Sequence, residues 1–160
     1  SKLWGRFVPH VVPGYLRNAG SDRYLLLPDE GGHVPMGDSF VRGLPGHFMH
    51  SVGNFSFHDP VRRILFSGDV GASMVPSRTP YAFVGDFDMH VSRMEGFHRR
   101  YMASNRATRL WARMVRELAP SMIVPQHGLP MRGETMARFL DWIERLECGV
   151  DLIGPEHYRL

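Results

Sequence analysis

The sequence predicts an α/β fold in which helices pack on a sheet. Three observations predict it: two strand-like runs follow each other in hairpin order, a short apolar run stands between helical segments, and three segments of the second half carry apolar residues at helical spacing. The chain has 160 residues, which suits one domain with a sizeable core. We therefore expect a single α/β domain over residues 1–160, built from helices layered on a sheet.

The first half of the chain is predicted to be rich in strands. Residues 24–27 form a short apolar run closed by a turn at 28–32, and a further turn at 36–39 leads into 40–46. Residues 54–57 alternate in polarity, an Asp-Pro pair at 59–60 turns the chain, and 63–66 form an apolar run typical of a buried strand.

The second half is predicted to be mainly helical. Helices are expected over about 89–101 and 105–118 (ended by Pro120), followed by a short buried strand at 122–124 and a final helix whose apolar face lies within 136–146. Gly149 is expected to be the residue that closes the last helix. Trp111 and Trp142 fall on apolar helix stripes and are predicted to be core residues.

Composition limits the possible functions. Hydrophobic residues make up 43% and charged residues 22%, and no apolar run is long enough to cross a membrane. The net charge of +3 is weak evidence for nucleic acid, so we expect neither nucleic acid nor a membrane as a partner. The single cysteine, Cys148, fits a reducing cytoplasm and is predicted to be a small buried thiol.

Three short segments carry candidate metal ligands at predicted strand ends. His50 lies in Gly-His-Phe-Met-His-Ser at 46–51, Asp69 follows the run Leu-Phe-Ser-Gly at 65–68, and His127 lies in Val-Pro-Gln-His-Gly at 124–128. Neutral imidazoles suit iron, zinc or copper, and a carboxylate can bridge two cations because it has two oxygens. The three residues therefore predict a transition-metal site spread over several elements.

The spacing of the three candidate ligands and the sequence around them resemble a known family. Eighteen residues separate His50 from Asp69 and fifty-seven separate Asp69 from His127. With Phe-Met-His-Ser at 48–51, Ile-Leu-Phe-Ser-Gly-Asp at 64–69, Phe-His-Arg-Arg-Tyr-Met at 97–102 and Pro-Gln-His-Gly at 125–128, the chain resembles the metallo-β-lactamase fold. It is most similar to the diiron branch of that fold, the flavodiiron proteins and the oxygen-binding diiron proteins.

The resemblance implies a role for each residue. His50 would bind one iron, Asp69 would bridge two irons and His127 would bind the other, so two Fe ions are the expected cofactors, with Zn as the alternative. The family's remaining ligands come from an upstream His-x-Glu-x-Asp-His segment, and none of the 49 residues before His50 contains that pattern. We therefore expect residues 1–160 to be the C-terminal half of an αββα sandwich whose N-terminal half is missing.

Two further histidines are weaker candidates. His47 stands in a Gly-His pair that resembles the metal-binding histidine of zinc hydrolases in the same superfamily, but the interval to Asp69 favours His50. His47 is then expected to lie beside the site without binding metal, and His90 to cap a helix or line the pocket, with ligation as the less favoured alternative. The aromatic residues Phe48, Phe55 and Tyr81 are expected to exclude water.

Three functions follow as hypotheses. The first is a non-haem diiron protein that binds or reduces O₂ or NO. Since the sequence after residue 149 carries no flavodoxin (FMN) domain, the flavin-free oxygen-binding or sensing type is favoured. The resemblance implies a homodimer, and an external electron donor is a possible partner. The second is a binuclear zinc hydrolase acting on thioesters, lactams or phosphodiesters. The third is a non-catalytic fragment, because half a sandwich exposes an apolar face, and the isolated chain is expected to be inactive.

Overall fold

The computed structural model describes residues 1–2, 25–76 and 83–159. In those ranges six strands form one sheet in sequence order, β1 to β6. The strands are β1 (Gly32–Met36), β2 (Ser39–Pro45), β3 (Phe55–Asp59), β4 (Ile64–Gly68), β5 (Met122–Pro125) and β6 (Met131–Arg132). All neighbours are antiparallel except β4 and β5, which are parallel.

Four α-helices complete the described fold: α1 (Phe87–Val91), α2 (Glu95–Tyr101), α3 (Asn105–Leu118) and α4 (Gly133–Arg145). Short 3₁₀ helices follow at Gly149–Leu152 and Pro155–Tyr158. No helix in the described ranges has both the length and the apolar character needed to cross a bilayer. The predicted mixture of sheet and helices is confirmed.

The core lies between one face of the sheet and helices α3 and α4. Leu65 and Ile123 are neighbours on β4 and β5 and are fully buried, as is Phe139 on α4. Trp111 on α3 is buried too, and its indole N–H donates to Ser56 Oγ on β3 at 3.1 Å. This bond satisfies two polar groups that would otherwise be buried without a partner.

The other face of the sheet is apolar and exposed in the described ranges. Phe57 on β3 pairs across the sheet with Phe66 on β4, and Phe66 pairs with Val124 on β5. Phe57 is 38% exposed and Phe66 is 45% exposed, whereas their sequence neighbours Ser56 and Leu65 are fully buried. The alternation expected of a strand with one covered face is therefore present, with aromatic residues on the uncovered side.

The predicted first strand is wrong for residues 25–27, and Tyr24 lies outside the described residues. Leu25 and Leu26 are exposed, and the first strand begins only at Gly32. Leu27 is buried because it lies over the glycines at 32 and 43, where no side chain competes for the space. One residue of an apolar run can thus be buried without strand pairing.

The predicted helix over 89–101 is two helices, and the expected end of the last helix is also wrong. Asp86 caps α1 by accepting hydrogen bonds from the amides of Asp88 and Met89, and a turn at 92–94 separates α1 from α2. Helix α4 ends at Arg145, so Gly149 does not close it. Gly149 instead begins a 3₁₀ helix with a φ of 56°, and a Cβ there would overlap the main-chain carbonyls of Met102 and Ala103 just after α2.

Helix α3 and strands β3, β4 and β5 are as predicted. The helix over 105–118 has the predicted bounds, and its C-cap Ala119 adopts a left-handed conformation just before Pro120. The hairpin of β3 and β4 and the buried strand β5 are confirmed, while β6 was not predicted. Trp111 and Cys148 are buried, and Trp142 packs on the core as a partly buried residue, as predicted.

Candidate metal centre

The sheet topology brings three loops to one edge. Strands β4 and β5 run parallel, and β2 runs in the same direction because it is separated from β4 by the antiparallel β3. Asp69 directly follows β4, His127 lies two residues after β5, and His50 lies five residues after β2. The carboxyl ends of the three strands therefore present all three predicted ligands at the same edge.

The carboxylate of Asp69 lies between the two imidazoles. Its Oδ2 is 3.9 Å from His50 Nε2, and its Oδ1 is 3.9 Å from His127 Nε2. Both distances are too long for a hydrogen bond. Two ligand bonds of about 2.1 Å to one ion place their donor atoms at most about 4.2 Å apart, so each pair is spaced to hold one ion.

The trio is not arranged as a mononuclear site. In residues 1–2, 25–76 and 83–159, no three His, Cys, Asp or Glu side chains converge closely enough to hold one ion. Instead two pairs share Asp69, and each pair uses a different carboxylate oxygen. The donor set would suit two ions that share one carboxylate, and each ion would then need further donors from elsewhere.

The His50 loop is strained and tightly hydrogen-bonded. His50 has a φ of 73° and Phe48 a φ of 64°, both in the left-handed region that non-glycine residues rarely adopt. The amide of Phe48 donates to the carbonyl of Ser51 at 3.0 Å, and Asn54 Nδ2 donates to the carbonyl of Met49 at 2.9 Å. Strain of this kind persists only where surrounding contacts fix it, and it concentrates at functional sites.

The loops of Asp69 and His127 are joined through their backbones. The amide of Gln126 donates to the carbonyl of Gly68 at 2.7 Å, and the amide of Ser73 donates to the carbonyl of His127 at 3.1 Å. Gly128 has a φ of 102°, and a Cβ there would overlap Ser73 Oγ. The absence of a side chain at 128 therefore lets this loop pack closely against the loop that follows Asp69.

Solvent reaches all three side chains in the described structure. The side chain of His50 is 40% exposed, that of Asp69 26% and that of His127 67%. Aromatic rings cover His50 on one side: Phe97 and Tyr101 of α2 lie 5.6 and 5.1 Å away by ring centroids. Of the aromatic residues predicted to exclude water, Tyr81 lies outside the described residues.

The other two predicted aromatics have different neighbours. Phe48 lines an apolar groove of about 550 Å³ together with Trp111 and Leu110 of α3. Phe55 packs edge-on against His47 at 5.2 Å. The aromatic rings that cover His50 therefore come from α2. This helix is close to the site in space although it lies far from His50 along the chain.

His47 and His90 are not part of the trio. His47 Nε2 lies 2.7 Å from the carbonyl of Asp29, where it donates a hydrogen bond. His90 is buried and lines a separate cavity of about 320 Å³ with Arg93, and burial lowers its pKa. In the described ranges only His50 and His127 come within ion-pair distance of Asp69.

His98 is the neighbour of the site that the sequence patterns missed. It is fully buried on α2, its Nδ1 lies 2.7 Å from the carbonyl of Met94, and its Nε2 accepts a hydrogen bond from the amide of Gly71 at 2.9 Å. The sequence did carry a signal for this position, because Met94, His98 and Met102 recur at intervals of four, which is typical of one helix face. All three side chains are fully buried.

Comparison with solved structures defines the class of fold. The flavodiiron protein from Giardia intestinalis superposes with a TM-score of 0.71 over 88% of this chain and 34% of that chain, at 17% identity. At that identity the likeness shows the fold alone. Fold and site together define an α/β domain of the metallo-β-lactamase type, and the predicted fold class is confirmed.

The family is defined by closer relatives. The family described as "ODP family beta lactamase" matches residues 1–128. The apo state of the chemotaxis sensor ODP from T. denticola is 42% identical with a TM-score of 0.83 over 95% of this chain and 60% of that chain. A structure titled "Peroxy diiron species of chemotaxis sensor ODP" is 40% identical with a TM-score of 0.81 over the same shares. This chain belongs to the ODP family.

The family assignment confirms the predicted resemblance to metallo-β-lactamase-fold diiron proteins. The chain spans 60% of the length of the ODP structures that it matches. A comparison with curated proteins found no match.

Proposed function

We propose that this chain contributes His50, Asp69 and His127 to a non-haem diiron centre that binds O₂, in a protein of the flavin-free sensing type. The observation that carries the proposal is the position of Asp69, with one carboxylate oxygen 3.9 Å from each imidazole. His50 would hold one iron, His127 the other, and Asp69 both. Bound there, a pair of ferrous ions supplies electrons to a diatomic ligand.

The residues of this chain have three tasks in that centre. The strained loop around His50 fixes the direction of its imidazole before any ion binds, which lowers the cost of ordering the site. Phe97 and Tyr101 restrict water on the His50 side. The short bonds between the loops of Asp69 and His127 keep the carboxylate and the second imidazole in register.

We infer that the remaining ligands come from outside the described residues. Three side chains cannot fill the coordination of two ions. The apolar sheet face with Phe57, Phe66 and Val124 is uncovered in the described ranges, which supports packing against a second sheet that completes an αββα sandwich. A His-x-Glu-x-Asp-His segment on that second sheet is the expected source of the ligands.

The comparisons support O₂ and sensing as the specific choice. The two solved structures at 40% and 42% identity are both of the chemotaxis sensor ODP, and the former is a peroxy diiron species. We therefore propose O₂ rather than NO as the ligand. A homodimer, an external electron donor and a cytoplasmic location remain predictions of the sequence.

The test is metal analysis combined with visible spectroscopy on the protein purified from its full-length gene. The protein is loaded with ferrous iron without oxygen and then exposed to O₂ or to NO. We expect two irons per chain and an absorption band that develops with O₂. Asp69→Asn should lose both irons, because a neutral amide cannot replace an anionic bridge, while Asp38→Asn in an exposed turn should keep them. Two bound zinc ions and no oxygen-dependent absorption would overturn the proposal in favour of a zinc hydrolase.

A further inference from the structure

Helix α2 contacts both loops that carry the proposed ligands of one iron. Phe97 and Tyr101 lie against the ring of His50, and the amide of Ala103, just after the helix, donates to the carbonyl of Phe48 at 3.0 Å. On its buried side the same helix presents His98 to the loop after Asp69. One short helix therefore sets the distance between the two loops.

The hydrogen bonds of His98 define one state of its ring. The amide of Gly71 can only donate, so Nε2 must be the acceptor and Nδ1 must carry the proton that goes to the carbonyl of Met94. Burial lowers the pKa of His98 to about 4, so the ring is neutral at physiological pH. The ring thus offers a fixed acceptor to the Asp69 loop.

The Gly71 amide in the Asp69 loop needs that acceptor, because it is buried away from water. The loop is a tight turn in which Ser67 Oγ donates to the carbonyl of Val70 at 2.6 Å and the amide of Ala72 donates to the carbonyl of Asp69 at 3.0 Å. These bonds lie within the loop, and its two ends, at Gly68 and Ser73, are bonded to the His127 loop. The bond from Gly71 to His98 ties the loop to a helix, and Gly71 is buried with a φ of 95°.

We propose that His98 is a positioning residue that, by accepting the Gly71 amide, holds the Asp69 carboxylate between His50 and His127. The proposal rests on the proposed function, since it assumes that Asp69 bridges two ions. Partners of this kind, which orient a ligand without touching the metal, typically change metal affinity by about 10- to 100-fold when they are altered. His98 should act within that range.

Two substitutions at His98 separate positioning from packing. In His98→Gln the side-chain oxygen reaches about as far as Nε2 and can still accept from Gly71. In His98→Asn the amide reaches only as far as Nδ1, so it can bond the carbonyl of Met94 but leaves the Gly71 amide without an acceptor. The matched control is His58→Asn, because His58 is also buried but neither of its ring nitrogens has a partner in the described structure.

The probes are Co²⁺ titration of the metal-free protein from its full-length gene and hydrogen exchange of the Gly71 amide without metal. We expect His98→Asn to bind Co²⁺ about 10- to 100-fold more weakly and to exchange Gly71 faster, while His98→Gln and His58→Asn stay near wild type in affinity. Equal Co²⁺ affinities for His98→Asn and His98→Gln would overturn the role of His98 and leave the proposed function standing. Failure of the wild type to bind a pair of Co²⁺ ions would overturn the proposed function and this role with it.

Discussion

Gly128→Ala probes the packing that fixes His127. A Cβ at this position would overlap Ser73 Oγ and lie 2.9 Å from the backbone nitrogen of Ser73. The φ of 102° alone costs an alanine about 1–2 kcal/mol. Relief of the clash moves the Ser73 backbone away from the carbonyl of His127, to which it donates at 3.1 Å, and losing that bond costs about 1 kcal/mol more. The total expected loss in the free energy of unfolding is therefore about 2–3 kcal/mol.

Urea unfolding of the metal-free protein measures this loss, and two other glycines supply controls. Gly133 has a φ of 53° with nothing within 4 Å of an added Cβ, so Gly133→Ala isolates the backbone cost of about 1 kcal/mol. Gly96 lies in α2 with open space and without a left-handed φ, so Gly96→Ala should stabilise slightly, by up to about 1 kcal/mol. If Gly128→Ala lost no more stability than Gly133→Ala, the contact between the two loops would not constrain His127.

Three further predictions concern acid, the core and the metal. Because burial lowers the pKa of His98 to about 4 from its ordinary 6.5, only the unfolded chain takes up this proton between these two pH values. The contribution of His98 to the free energy of unfolding should therefore fall by about 3 kcal/mol over that window and then level off. Urea titrations of wild type and His98→Gln measure this contribution as the difference between their pH profiles, and identical profiles would count against it. Phe139→Ala removes a fully buried ring and should cost about 3–5 kcal/mol, whereas a loss below about 2 kcal/mol in urea unfolding would disprove the core packing. His50→Gln should reduce iron binding in metal analysis while His47→Gln should not, because the latter ring bonds a backbone carbonyl; equal losses would contradict that distinction.

The elements that could be predicted are those with a local signal. Helix α3 has apolar residues at helical spacing and a proline just beyond its end, so its bounds were predicted to the residue. The strands before Asp69 and His127 are short apolar runs. Their parallel pairing brings the two residues to the same edge, as the prediction of a shared site required.

The elements that could not be predicted depend on contacts between distant segments. The turn at 92–94 interrupts an otherwise helical pattern, and the carbonyl of Arg93 within it accepts the amide of Met74 at 2.9 Å. The acceptor role of His98 likewise depends on Gly71, which lies 27 residues earlier. Neither contact produces a periodic pattern in the sequence. The hydrogen bonds that connect α2 to the site are therefore visible only in the folded chain.

The central claim is that Asp69 joins two metal ions, one beside each histidine. X-ray diffraction at the iron absorption edge, from crystals of the iron-loaded full-length protein, tests it most directly. We expect two anomalous peaks, one within bonding distance of His50 Nε2 and the other within bonding distance of His127 Nε2. One oxygen of Asp69 should be bonded to each iron. A single peak, or two peaks with Asp69 bound to neither or only one of them, would contradict it.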